Sequence, residues 1–304
     1  MIVIVTTEKH RYTHRSLASD PDISAKVISY DELKANAASL PVATYVFTDM
    51  DRLSPPRLMR AALYYRALQD HGQRVLNDPA RVLSRFGLLR ALNRAGINEF
   101  DAYRVEDLER PRRWPVFVRV EGGHGEPSQL LHNQKDLDAA IQQRLETGMP
   151  RSAMLIVEYA AEPVQQGVFR KLSAFRVGDQ ILGYTCVHDD QWVVKYGKAE
   201  VATPDLYEEE YDFVANSPFS EAVRPVFDIA GVEYGRIDFG LVGGKPQIYE
   251  INTNPDLKLR PKPDKVAVRE QSIALFRKNF LAALAEIDTP KPPVRNDRRK
   301  AEAY

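Results

Sequence analysis

Residues 234–256 read YGRIDFGLVGGKPQIYEINTNPD, and this stretch decides the fold. Arg236 to Val242 alternates polar and apolar side chains, and Gln247 to Thr253 does so again, the period of a strand. Gly243, Gly244 and Lys245 lie between the two runs, a glycine-rich link of hairpin length. A two-residue loop of Gly243 and Gly244 sets Asp238 opposite Tyr249 and sends the two carboxylates to opposite sides of the sheet. A three-residue loop, with Val242 opposite Pro246, pairs Ile237 with Ile251 and Phe239 with Tyr249 on one face. On the other face it pairs Asp238 with Glu250 and Arg236 with Asn252. Only this second register separates an apolar face from a polar one, and register follows that separation. The sequence therefore predicts a three-residue loop, with Asp238, Glu250 and Asn252 sharing a face with Arg236.

Two carboxylates directly opposite each other repel, so a hairpin that keeps them calls for a cation between them. Carboxylate and amide oxygens are hard ligands, suited to Mg²⁺ or Mn²⁺ and unsuited to soft metals.

The run RIDFGLVGGKPQIYEINTNP resembles the C-terminal signature of the ATP-grasp superfamily, an Asp or Glu strand followed by a Glu-x-Asn strand. The resemblance implies that Asp238, Glu250 and Asn252 bind metal ions on the nucleotide phosphates. It implies that Arg236 steadies the transferring phosphoryl group or the acyl phosphate. Asp256 departs from the pattern, since many carboxylate ligases of the family carry Gly after Asn-x-Pro; the departure touches the substrate end of the site. Asp238-Phe239-Gly240 also spells a kinase metal motif. The chain has no His-Arg-Asp loop and no downstream Ala-Pro-Glu, which excludes a protein kinase.

With 304 residues the chain is long enough for about two domains. Its 42 basic residues balance 42 acidic ones, which argues against a nucleic-acid footprint or a polybasic membrane patch. One cysteine, Cys186, excludes an internal disulfide framework and reads as a small buried apolar residue in a reducing compartment. Met1 to Val5 is too short an apolar run for a signal peptide, and no run reaches bilayer length. The expected location is the cytoplasm.

Short strands are predicted at Met1–Thr6, Ala25–Tyr30, Ala43–Thr48 and Arg74–Leu76, with a helix over 55–71 that Ser54 caps and Gly72 ends. Strand–helix alternation predicts a small parallel α/β domain over residues 1–77. Its first loop, Thr6 to His14, carries Glu8, Lys9, His10 and Arg11 and reads as a solvated charged loop. Asn77-Asp78-Pro79 is expected to open a second helix, capped by Asp78 and ended by Gly96. An Asn-x-Pro opening, a helix and Ala-Gly-Ile resemble the linker into an ATP-grasp domain, here expected over 78–287. Arg85 is the nearest match to a Lys the family carries early in that helix.

Residues 114–120 read as a strand running into Gly122, Gly123, His124 and Gly125. Backbone N–H groups in such a turn cradle phosphate oxygens. The resemblance places the flexible phosphate loop there and a nucleotide-contacting Lys at the position of Arg119, with 112–160 as the nucleotide-binding subdomain. Arginine keeps the charge but presents a planar fork. His124 reads as a loop residue. A helix is expected over 134–145. Ala153 to Tyr159 reads as an apolar strand, and the resemblance makes the residues after it, Ala160, Ala161 and Glu162, a hinge whose backbone pairs with the adenine edge, with Tyr159 at its start as a further nucleotide-binding residue and with Glu158 and Glu162 as side chains able to reach the adenine amino group or ribose. Phe169–Val177 and Gln180–Val187 read as a hairpin around Gly178-Asp179. Lys171 matches a basic residue that many ATP-grasp enzymes aim at the phosphates or the acyl phosphate. Arg170 is the alternative, because strand neighbours point opposite ways. Trp192 and Lys195 fall in a segment that could cover the substrate. His188-Asp189-Asp190 reads as a polar loop, and acidic 203–216 as a solvated face. Helices are expected over 218–230 and 265–284. Arg260 and Lys262 sit in a loop that the resemblance places beside the acceptor, where Arg260 could bind a substrate carboxylate. Residues 288–304 are expected to be disordered.

The resemblance implies a small parallel α/β domain followed by a two-subdomain ATP-grasp fold, with residues 161–287 as the catalytic subdomain. It implies an ADP-forming ligase using ATP and Mg²⁺ (or Mn²⁺), which activates a small-molecule or peptide carboxylate as an acyl phosphate and joins it to an amine, or in some members to a thiol. A kinase acting on a small hydroxyl substrate and a non-catalytic nucleotide-binding regulator are the alternatives.

Overall fold

The computed structural model describes residues 1–36, 39–107, 109–122, 125–165, 167–195, 197–198, 200–259 and 266–288. Gly123, His124, Arg260, Lys262 and residues 289–304 lie outside them.

A parallel sheet comes first, with strands β1 (Ile2–Thr6), β2 (Ala25–Ser29), β3 (Thr44–Phe47) and β4 (Arg74–Leu76) in spatial order β2-β1-β3-β4. The unbroken apolar run of β1 is buried along its whole length, as a parallel strand covered on both faces requires. Helices α1 (Arg15–Ala18), α2 (Tyr30–Ala35) and α3 (Pro55–Asp70) surround it. Ala61, Tyr65 and Leu68 of α3 pack with Val3, Val5, Tyr45 and Phe47. Ile2, Ile4, Val46 and Leu76, from the alternate positions of the same strands, join the core of the C-terminal half.

The helix expected from Asp78 forms later, as α4 (Arg85–Arg94), whose first turn is capped by Ser84. Asp78 instead holds a tight turn, accepting from the Ala80 N–H at 3.0 Å. Asn77 takes a left-handed backbone, φ 63°, and spends its amide on two elements at once. It donates to the carbonyls of Phe47 and Tyr234 and accepts from the Glu233 and Tyr234 N–H groups, stitching the parallel sheet to the quoted hairpin.

A three-stranded antiparallel sheet follows, order β5-β7-β6, from β5 (Ala102–Arg104), β6 (Val116–Val120) and β7 (Met154–Glu158), with α5 (Gln134–Glu146) between β6 and β7 in sequence. Val116, Val118, Met154 and Ile156 pack on Leu137 of α5, while Leu155, Val157 and Phe117 face a second cluster with Leu89, Phe100 and Tyr249. The third sheet is antiparallel, order β10-β9-β11-β12, from β8 (Pro163–Gln165) pairing with β9 (Val168–Val177), then β10 (Gln180–Asp189), β11 (Tyr234–Val242) and β12 (Lys245–Asn252). Helices α6 (Pro204–Asn216) and α7 (Ser220–Ala230) cover one face, where Phe239 meets Phe213 and lies close to Phe219 before α7. Helix α8 (Ala267–Ile287) lies beside α6 and packs Phe276 and Phe280 against Phe175. Among the described residues no helix is long and apolar enough to cross a membrane.

The hairpin of β11 and β12 corrects the expected loop. Val242 pairs with Lys245, so the turn is two residues, Gly243 and Gly244, with φ 55° and 77°. Two left-handed glycines match the twist of the flanking strands, which is why the short turn prevails. The ladder then runs to Phe239 opposite Ile248, not Tyr249, and shifts by one residue before Asp238. Tyr249 is the extra residue of a β-bulge. Beyond it Asp238 pairs with Glu250, Ile237 with Ile251 and Arg236 with Asn252, the expected pairs.

Candidate nucleotide and metal site

Asp238 is 2% exposed and ringed by donors. Its Oδ1 accepts from Ser173 Oγ at 2.9 Å and Arg236 Nε at 2.8 Å. Its Oδ2 accepts from an Arg236 Nη at 3.0 Å and lies 3.4 Å from Lys171 Nζ. Lys171 and Ser173 arrive together because they are two apart on β9, the strand that pairs with β11. Arg170 points the other way and pairs with Glu209. Burial opposes charge on Asp238, but Arg236, Lys171 and Ser173 outweigh it and hold the carboxyl below its ordinary value.

Glu250 is met by two more cations. Its Oε2 pairs with an Arg85 Nη and lies 3.8 Å from an Arg119 Nη. Burial pushes its pKa up and Arg85 pulls it down; with Arg119 and Arg236 adding to Arg85, the net shift is downward despite nearby Asp238. Arg119 is itself lowered to about 10 by burial and by Arg85, against the pull of Glu250. Arg85 also donates to the Glu121 carbonyl at 2.7 Å, which fixes the start of α4 against the end of β6. Among the described residues, the buried Nε groups of both Arg85 and Arg119 have no hydrogen-bond partner. Asn252 lies opposite Arg236, with its side-chain oxygen accepting from the Asn254 N–H at 2.8 Å. Asp238, Glu250 and Asn252 thus offer an all-oxygen donor set on one face, which fits a hard divalent ion.

The other predicted binding residues divide. A Cβ on Gly122 would meet nothing, so the protein's own packing does not require glycine there. The Glu158 carboxylate is 2% exposed. It accepts from Tyr103 Oη and from the N–H groups of Asp101, Arg112 and Arg113, bracing the entry to β6. The Tyr159 N–H is spent on the Pro115 carbonyl. The Ala160 carbonyl accepts from Tyr249 Oη at 3.1 Å, and Glu162 accepts from the Gly243 N–H at 2.7 Å. The segment after β7 is therefore tied at two points to the hairpin that carries Asp238 and Glu250. Trp192 packs on Phe117 and Tyr159, with ring centres 4.9 and 5.6 Å away, and the Lys195 carbonyl accepts from Lys171. The segment after β10 thus bridges both antiparallel sheets.

Ser173 was not singled out in the sequence, although its spacing from Lys171 marks it. His188 was read as part of a loop; it lies within β10, is 3% exposed and pairs with Glu209 of the acidic helix.

No family model and no curated protein sequence matches the chain. Solved structures do. D-alanine–D-alanine ligase from Bacillus anthracis, complexed with ATP, matches with TM-score 0.55 at 12% identity, over 95% of this chain and 97% of that one. The ATP-grasp ligase PsnB, complexed with a phosphomimetic variant of a minimal precursor, Mg and ADP, matches with TM-score 0.51 at 13% identity, over 95% and 97%. L-amino acid ligase from Bacillus licheniformis matches with TM-score 0.52 at 10% identity, over 93% and 74%. At such identities the likeness is one of fold.

Proposed function

We propose that this chain, whose fold is that of the ATP-grasp ligases, is itself an ADP-forming carboxylate–amine ligase that uses ATP with Mg²⁺. The observation that carries the reading is the excess of fixed positive charge around the paired carboxylates. Among the described residues, the ion pairs of Arg85, Arg119, Lys171 and Arg236 run to just two carboxylates, Asp238 and Glu250, and two of the guanidinium groups hold a buried N–H with no acceptor. A buried donor left unpaired costs about 1–3 kcal/mol, so the site suits an anion rich in oxygens, as a triphosphate is.

Asp238, Glu250 and Asn252 would hold the divalent ion, which supplies charge neutralisation between phosphate oxygens. The chain's own part is positional and electrostatic. Arg85 and Arg119 bind phosphate oxygens, while Lys171 and Arg236 stabilise the charge that builds up on the transferring phosphoryl group. A substrate carboxylate oxygen attacks the γ-phosphorus and ADP leaves. The amine nitrogen then attacks the acyl carbon, phosphate leaves, and the nitrogen gives its extra proton to phosphate or water. Trp192, over Phe117 and Tyr159, shields the acyl phosphate from water.

The test is ADP release against a panel of carboxylates and amines. A ligase releases ADP and phosphate when both are present, and hydroxylamine in place of the amine yields a hydroxamate. Phosphate retained on a hydroxyl, or ATP bound without turnover across the panel, would overturn the reading.

A further inference from the structure

The opposite face of the same sheet carries a second cluster of ligating groups. Lys171 pairs across the strands with Val187, whereas Leu172 pairs with Cys186 and Arg170 with His188. Side chains alternate faces, so Cys186 and His188 lie together on the side away from Asp238. Helix α6 lies over that side and contributes Glu209. Cys186 Sγ is 3.9 Å from His188 Nε2, and His188 Nε2 is 3.4 Å from Glu209 Oε2. The three ligand atoms all lie within 4.8 Å of one another.

We propose that Cys186, His188 and Glu209 form a binding site for one borderline divalent ion, of which Zn²⁺ is the type. Tetrahedral zinc with ordinary bond lengths sets sulfur and nitrogen ligands about 3.6 Å apart and nitrogen and oxygen ligands about 3.3 Å apart. The observed separations are close to both. The donor set of thiolate, imidazole and carboxylate selects Zn²⁺ over Mg²⁺, the reverse of the all-oxygen set across the sheet. Arg170 pairs with Oε1 of Glu209, leaving Oε2 turned toward His188, the kind of outer contact that orients a ligating carboxylate. A cavity of about 130 Å³ opens on Cys186 and His188 and is lined also by Lys198, Tyr207 and Arg269. It has room for a water as the fourth ligand. On binding, the Cys186 thiol releases its proton to solvent and the sulfur–metal bond forms. The loaded site ties α6 to the end of β10, the strand that leads into Trp192 and Lys195.

Co²⁺ added to the full-length chain is the direct probe. The expected result is about one Co²⁺ per chain with a thiolate-to-cobalt charge-transfer band, displaced by Zn²⁺. Asp238→Asn keeps the band and Cys186→Ser loses it. His188→Gln and Glu209→Gln weaken Zn²⁺ retention by about tenfold or more. Zn²⁺ raises the melting temperature of the wild-type chain and not that of Cys186→Ser. The proposal fails if the folded wild-type chain gives no thiolate band, if the band survives in Cys186→Ser, or if Asp238→Asn alone removes it. Because the readout involves no ATP, it stands or falls independently of the ligase reading.

Discussion

Asp238 lies directly across from Glu250 although the turn between their strands holds only Gly243 and Gly244. An unbroken ladder from that turn would set Asp238 against Tyr249 and split the carboxylates between two faces. The bulge at Tyr249 restores the pairing. Gly240 makes room for it, because a Cβ there would lie 2.2 Å from Tyr249 Oη and 3.0 Å from the ring carbon that bears it. Gly240→Ala is therefore expected to cost about 1–3 kcal/mol of stability, read as a shift in denaturant midpoint. Adding Tyr249→Phe removes the closest contact and should recover part of the loss. An unchanged midpoint in Gly240→Ala would show that the tyrosine does not depend on that space.

Arg85 and Arg119 share one carboxylate oxygen, and each keeps a buried Nε unpaired among the described residues. If those donors meet phosphate, Arg85→Ala and Arg119→Ala should each weaken ATP binding by about 10–100-fold, the worth of one charge-assisted hydrogen bond. Arg119→Lys keeps the charge and should lose less than Arg119→Ala. Equal ATP affinity in all three variants, measured by titration calorimetry, would contradict the phosphate role.

His14 reports on how the parallel sheet docks. It is fully buried, with Nε2 3.0 Å from Tyr234 Oη on β11 and Nδ1 2.9 Å from Thr13 Oγ1. Burial lowers its pKa to about 4, against smaller opposing effects of Asp49 and Asn254. Its unfolded value is about 6.5, so the unfolded chain binds the extra proton first as pH falls. Stability from this group is full above about pH 6.5 and declines down to about pH 4, losing roughly 2 kcal/mol between about pH 7 and about pH 5. Urea unfolding at those two pH values should show the loss in the wild type and a smaller one in His14→Gln. Equal losses would place the titration elsewhere.

The polar face of Asp238, Glu250, Asn252 and Arg236 was legible because alternation is a local signal and only one register keeps the faces apart. The route to that register was not. A two-residue turn plus a bulge gives the same pairs as a three-residue loop, and the bulge depends on Tyr249 finding Gly240 across the strands. The orientation of Lys171 against Arg170 was likewise open until the partners on each face were known, Asp238 on one and Glu209 on the other. Helix α4 started late because Asn77 and Asp78 serve a turn and a docking contact instead of a cap. The donors to Glu158 were not legible for a related reason: all four come from residues 101–113, and no spacing around 158 announces them. His188 was read with Asp189 and Asp190, its sequence neighbours, whereas its partners Cys186 and Glu209 come from alternate strand positions and a separate helix.

The central claim is that Asp238 and Glu250 together serve Mg²⁺-dependent turnover of ATP. Its most direct measurement is the steady-state rate of ADP release in Asp238→Asn and in Glu250→Gln, with circular dichroism to verify the fold. Removing one such charge should slow turnover by about 10²-fold or more while the spectrum stays native. Turnover near the wild-type rate in both folded variants would contradict it.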